Sequence, residues 1–229
     1  MRTIETGEFD YVNLHWYFVN DFNWPAVEAA SRQDVGVFII SPNDKGGMLY
    51  KPSDKLVELC QPLSPIAFNN LYCLSRPEVH TLSVGAAKPS DFDEHIRSLE
   101  WYDTAKETIA PVEQRLRAEM VRTLGEDWCK GWWRGLPEHT DVPGDINLLE
   151  ILRLWGLAKS FDLVEFGKMR YNLLGNAGHW FPGNNAGALD EEKVRGVLKG
   201  NPFADRIPAI LREAHDLLLD TPKERLSKS

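Results

Sequence analysis

His15, Tyr17 and Lys45 are side chains whose types suit general acid catalysis: an imidazole and a phenol can pass a proton, and an ammonium beside them stabilises developing charge. His15 and Tyr17 stand two apart, so an extended strand puts them on one face, while Lys45 follows the next apolar run and can join them only at a strand end. Such convergence is expected to need a closed barrel that excludes water and fixes geometry, so packing is the preferred reading of the three. Gly85, Ala86 and Ala87 are a second candidate, a small-residue turn between a strand and a capped helix. Its backbone N–H groups can approach an anion and the helix N-terminus adds a favourable dipole. A tight βα turn that needs small residues explains the same sequence equally well.

Other reactive residue types point away from chemistry. His179, in GHWFPGN, has no second His or acid at metal-ligand spacing and is expected to be a hydrogen-bonded loop residue beside aromatics; His80 is read as structural. Cys60, Cys73 and Cys129 are odd in number and widely spaced, which fits neither a disulfide framework nor a metal site. Three of the eight Trp fall in WCKGWW at 128–133, a clustering expected of packing.

The whole chain sets the frame for these groups. Its 229 residues are 43% hydrophobic and 26% charged, as in a folded globular protein. A net charge of -8 disfavours a grip on nucleic acid phosphates, which needs clustered Lys and Arg. No apolar run approaches the roughly 20 residues that span a bilayer, and the opening MRTIETGEFDY lacks a signal-peptide core, so no membrane partner and a cytoplasmic location are expected.

The elements that must position the candidates alternate. FDYVNLHWYF (9–18) predicts a strand with Val12, Leu14, Trp16 and Phe18 on an apolar face and Asn13, His15 and Tyr17 on a polar one. WPAVEAASRQ (24–33) predicts a short helix with Pro in its first turn. VGVFIIS (35–41) has the composition and length of a buried strand, broken by PNDKGG. IAFNNLYCL (66–74) has helical spacing that Arg76-Pro77 ends, and VHTLSV (79–84) returns to strand. Ser90 and Asp93 resemble a capping box, after which Phe92, Ile96 and Leu99 line one helical face. Beyond about Trp101 the pattern is helical, with candidates at 110–124, 146–157, 162–174, 190–199 and 205–219. The expected class is therefore α/β. Three parallel βα units occupy residues 1–100, at about the 30 residues per unit of a (β/α)8 TIM barrel, and an all-helical extension occupies 101–229.

Three stretches, FDYVNLHWYF, GVFIISPNDKGGMLYKPSDKL and LSPIAFNNLYCLSRPEVHTLSVGAAKPSDFDEHI, together resemble the sixth, seventh and eighth strand units of the aldo/keto reductase family. RYNLLGNAGHWFPGNNA and NPFADRIPAILREAHDLL are similar to the helical C-terminal extension of one of its branches. The resemblance implies the last three units of a partial barrel that reduces carbonyls with NADP or NAD, the cofactor being held only in a complete barrel. It implies that Asn13 hydrogen-bonds the nicotinamide carboxamide, that Ile40 and Ser41 lie beside the nicotinamide, and that Gly85, Ala86 and Ala87 approach a phosphate with Lys88 adding charge. Asp91 and Asp93 stand where many relatives place Arg for the 2′-phosphate, which leaves the choice between NAD and NADP open.

The family's catalytic Asp, Tyr, Lys and His precede the sixth strand, so no catalytic residue is assigned to this chain. The extension in this branch often holds iron-sulfur clusters on several Cys; Cys129 alone cannot, so no metal centre is expected. Two functions follow as expectations. One is the C-terminal part of an aldo/keto-reductase-like oxidoreductase, inactive without its N-terminal barrel half, from which truncation, a late start codon or gene splitting separates it; a separately encoded half would be its partner. The other is a noncatalytic interaction or cofactor-sensing module that recruits a partner or a second copy through unpaired sheet edges.

Overall fold

The computed structural model of the chain describes residues 3–86, 88–174, 183–221 and 223–224. It is a mixed α/β, predominantly helical protein that resolves into two compact units, Met1–Arg117 and Ala118–Ser229. Among the described residues the strands form no closed barrel.

The first unit carries strands β1 (Tyr11–Leu14), β2 (Gly36–Ile40) and β3 (Thr81–Ser83), hydrogen-bonded in that order and all parallel. Helix α1 (Trp24–Arg32) connects β1 to β2; α2 (Asp54–Cys60) and α3 (Pro65–Leu74) connect β2 to β3. Both α1 and α3 have Pro in the first turn, and Ser64 caps α3 by accepting from Ala67 N at 3.1 Å. After β3 come a 3-10 turn at Pro89–Phe92, α4 (Asp93–Ser98), a second 3-10 stretch at Leu99–Thr104 and the start of α5 (Ala105–Leu124).

The register Asn13↔Phe38, Leu14↔Ile39 and Ile39↔Leu82 puts Val37 and Ile39 on the face that the helices cover, where both are fully buried. The other face is open: Tyr11 is 58% and Phe38 36% exposed, and their rings lie 5.2 Å apart. The expectation of a buried strand therefore holds for one face of GVFII only, since among the described residues helices cover one side of the sheet. The strand expected over 9–18 is also shorter. An antiparallel bridge between Tyr17 and Asn20 turns the chain, so Trp16, Tyr17, Phe18 and Val19 are all buried in succession and the two-residue alternation ends at Leu14.

Two expectations for the stretch after β3 are corrected. The Ser90–Asp93 cap does not form, because helical turning begins at Pro89 and the Asp91 carboxylate accepts from Lys88 N at 3.2 Å instead. Phe92, Ile96 and Leu99 do share a face, but it points outward, with Ile96 64% exposed. Periodicity shows that a face is apolar; it does not supply the element that covers it.

The second unit is helical, with α6 (Glu126–Gly131), α7 (Leu148–Phe161), α8 (Val164–Tyr171), α9 (Glu191–Val197) and α10 (Ile207–Leu218). Helix α7 is buried almost all round and carries a buried Glu150–Arg153 ion pair at 2.5 Å. Two buried amides join its loops. Asn201 donates to Trp132 O at 2.7 Å and Arg134 O at 2.9 Å, and Asn172 donates to Leu218 O at 2.6 Å while accepting from Asp220 N at 2.9 Å. No helix among the described residues is long and apolar enough to cross a membrane.

Candidate functional site

In open parallel sheets, ligands gather beyond the carboxyl ends of the strands, where the loops converge. In the first unit that edge holds two hydrogen-bonded clusters, built by the loops after β1, β2 and β3.

The first cluster joins the three residues singled out for acid chemistry. Lys45 Nζ lies 3.2 Å from His15 Nε2, His15 Nδ1 lies 2.5 Å from Tyr17 Oη, and the Tyr17 hydroxyl donates to Ile40 O. An ammonium can only donate, so Nε2 accepts and the ring proton is assigned to Nδ1, from which it reaches Tyr17 Oη and, at 3.2 Å, Ile40 O. The donors then run in one direction, from Lys45 through His15 and Tyr17 to a backbone carbonyl. The expected need for a closed barrel is corrected here, since local chain geometry brings the three together. Ser41 takes a left-handed φ of 53° just past β2, and Lys45 N bonds back to Ser41 O at 3.1 Å, which returns the lysine to the strand end. Asn23 Nδ2 fixes the His15 carbonyl at 2.8 Å. His15 and Lys45 are half-buried and Tyr17 is fully buried, so the imidazole and the ammonium are the members within reach of a ligand. A cation held at this edge suits an anion or a carbonyl oxygen.

Tyr17→Phe removes the hydroxyl that both accepts from His15 and donates to Ile40 O. We expect it to cost about 1–2 kcal/mol in chemical denaturation, the range for stranding buried hydrogen-bond partners. A change within about 0.3 kcal/mol would show that the relay adds nothing to stability.

The second cluster went unnoticed in the sequence. Tyr50 Oη donates to Gly85 O at 2.6 Å and lies 3.0 Å from both Asn43 Nδ2 and His95 Nε2. On the other side of the ring, Asn70 Nδ2 lies 2.8 Å from His95 Nδ1 and 3.1 Å from Ser98 Oγ. Burial pushes the Tyr50 phenol up, against its bond to Asn43, and Asp91 adds to the rise. Burial also holds His95 below the ordinary histidine value, opposed by Glu94 and Asp91. The one signal available beforehand was the Asn69-Asn70 pair inside the otherwise apolar run of α3, since a polar pair in a buried helix must find partners.

The cofactor residues implied by the resemblance are spread along the same edge and face. Asn13 is exposed on the open face of the sheet, paired in register with Phe38. Ile40 ends β2 with its carbonyl engaged by Tyr17, and Ser41 N donates to Ser83 O at 3.2 Å. Gly85, Ala86 and Lys88 are exposed; Ala87 lies outside the described residues, as does His179. A Cβ at Gly85 would meet nothing within 4 Å, so open space rather than a steric need for glycine adjoins this turn. The helix after it, α4, has only six residues, and the Asp91 carboxylate already occupies the Lys88 N–H, which weakens the expected anion cradle. His80 is structural: Val37 N donates to its Nδ1 at 3.1 Å and its own N donates to Val37 O.

Among the described residues no group of three His, Cys, Asp or Glu could hold a metal ion. Burial pushes the Cys60 thiol up to about 12 against the opposing charge of Arg115, and raises Cys73 too, so both behave as inert core thiols. Comparisons with protein-family models, curated proteins and solved structures find no match.

Proposed function

We propose that this chain supplies the cofactor side of an aldo/keto-reductase-like carbonyl reductase that uses NADPH or NADH, its three βα units being part of a (β/α)8 barrel. The observation that carries this is the sheet: three parallel strands in sequence order, helices on one face, the other face open, and loops that gather polar groups at the carboxyl edge. Such a face needs a cover, because parallel sheets are buried on both sides in stable proteins. The cofactor would supply hydride to a carbonyl carbon. In this reading the Asn13 amide binds the carboxamide, Ile40 and Ser41 border the nicotinamide, and Gly85, Ala86, Ala87 and Lys88 lie towards a phosphate. The Lys45–His15 pair holds a positive charge on the same edge, where it can orient an anionic or carbonyl oxygen.

A second reading is favoured by the exposed Tyr11 and Phe38 on the open face and by the outer edges of β1 and β3, which pair with no further strand among the described residues. It makes the chain a noncatalytic module that recruits another chain by strand pairing.

The two are separated by titrating NADPH and NADH into the chain alone and into the chain co-purified with the product of the reading frame directly upstream, followed by an aldehyde reduction assay. The reductase proposal expects cofactor binding and turnover in the pair, with Asn13→Ala weakening cofactor affinity by about tenfold or less, as for one lost hydrogen bond. A stable self-association or complex that ignores both cofactors would overturn it in favour of the module.

A further inference from the structure

The backbone keeps to right-handed helical turns from Pro89 to Leu124, through the first 3-10 turn, α4, the second 3-10 stretch and α5. One apolar stripe follows it at three- and four-residue spacing, from Phe92 through Ile96, Leu99 and Tyr102 and on through Ala105, Ile109 and Val112. Within the 3-10 stretch residues three apart eclipse, which sets Tyr102 in line with Leu99.

The two halves of this stripe differ. Ala105, Ile109 and Val112 are buried, none more than 4% exposed. Phe92 is 45%, Ile96 64%, Leu99 58% and Tyr102 52% exposed. These four side chains offer on the order of 400 Å² of surface, the size at which the largest apolar patch of a protein is often functional. They lie along about 16 Å of helix axis, or about three turns of a partner helix. That is less than the roughly 800 Å² per partner of a globular interface, and it suits a single helix laid along the stripe.

Acid lines one flank. Asp93 follows Phe92, Glu100 follows Leu99 and Asp103 follows Tyr102, so each stands one step round the helix from a stripe residue, on the same side. All three are exposed, and none forms an ion pair among the described residues. Glu94 and Asp91 are different: Glu94 pairs with Arg97 at 3.0 Å, and Asp91 accepts from Lys88 N. Lys106, which follows Ala105, ends the acidic rail where the stripe becomes buried. The opposite flank is closed by the protein itself, since Asn70 of α3 bonds to His95 and Ser98.

We propose that this stripe docks an amphipathic helix of a partner protein. The partner's apolar residues lie on Phe92, Ile96, Leu99 and Tyr102, and its Lys or Arg residues run along the flank that meets Asp93, Glu100 and Asp103. The charge pattern selects this occupant over a second copy of the chain. A second copy presents acid on one flank of the same face and α3, which has no charged residue, on the other, so it brings no row of cations to the rail. The proposal needs neither a cofactor nor the sheet edges, and it stands apart from both functional readings above.

The test is methyl NMR on the full chain, following Ile96 and Leu99, with two synthetic probes. One is a peptide of about 18 residues, long enough to turn helical, with Leu at three- and four-residue spacing and Lys on its flanks; the other has Glu for Lys. The Lys peptide is expected to shift both methyl signals and to bind about tenfold tighter than the Glu peptide. Ile96→Ser with Leu99→Ser is expected to weaken it tenfold or more, as for loss of central apolar anchors. Glu100→Gln with Asp103→Asn touches only exposed acids; it is expected to weaken the Lys peptide about fivefold and to flatten the salt dependence of binding. Equal affinity for the two peptides would overturn the proposal. So would failure of the Lys peptide to bind, or binding that leaves the Ile96 and Leu99 signals unmoved. Shifts of these methyls on concentrating the chain alone would make a second copy the occupant and overturn it as well.

Discussion

Gly46→Ala is expected to destabilise the sheet-bearing unit by about 3 kcal/mol, at the upper end of what overpacking costs. A Cβ at this position would fall 1.9 Å from the Pro42 carbonyl oxygen and 3.1 Å from Asn69 Nδ2. Neither neighbour can retreat cheaply. Pro42 O accepts from Asn69 Nδ2 at 3.0 Å, Asn69 is locked into the buried helix α3, and the loop is closed by Lys45 N on Ser41 O. The backbone itself must move, and Lys45 moves with it, away from His15. Hydrogen exchange read on α2 and α3 peptides through a urea series reports the loss for this unit alone. Gly85→Ala is the control: its Cβ would meet nothing within 4 Å, so a change within about 0.5 kcal/mol is expected. Equal behaviour of the two variants would mean that the Pro42–Gly46 turn relaxes freely, and the Lys45–His15 contact would then lose its structural support.

The contrast between these glycines shows where sequence pattern stops determining structure. Both lie in Gly-containing loops after apolar runs, and sequence distinguishes neither the one pressed on a carbonyl nor the one facing open space. The alternation of strands with α1 and α3 was legible because periodicity and punctuation agree, Pro25 opening α1 and Pro77 following the end of α3, whereas α2, which falls in a stretch read as a connection, was not expected. The parallel sheet followed from that order. The burial of each face did not, because alternation records which residues are apolar and not which neighbours arrive, as Phe38 and Ile96 show in the open.

The candidate site was legible in its residue types and not in its geometry. His15, Tyr17 and Lys45 could be named as a set, but their meeting rests on one left-handed residue, Ser41, that no propensity marks. His95 was hidden for a different reason. It sits on a six-residue helix, and its partners come from the loop after β2 and from helix α3. A polar cluster assembled from such distant segments leaves no local pattern.

In the second unit, Trp128→Ala is expected to cost about 3–5 kcal/mol, the range for deleting a buried aromatic side chain. Trp128 is 1% exposed and stands at the centre of the WCKGWW cluster. Its ring centroid lies 6.2 Å from stacked Trp132, 5.6 Å from Trp155 edge-on and 5.0 Å from Phe203, and the Arg206 guanidinium sits 4.9 Å over it. Truncation removes contacts to α7, to the Phe203 loop and to the residue before α10 at one stroke, and these neighbours are held too firmly to collapse into the gap. Asn201, for one, is clamped to both Trp132 O and Arg134 O. Trp128→Phe keeps an aromatic ring in the site and should cost less than half as much. Hydrogen exchange on α7 peptides in urea would measure both. A Trp128→Ala cost below about 1 kcal/mol would mean that the cluster is not the core of this unit. The same comparison bears on function, because a tryptophan cluster consumed by packing leaves the polar edge of the first unit as the place to look for chemistry.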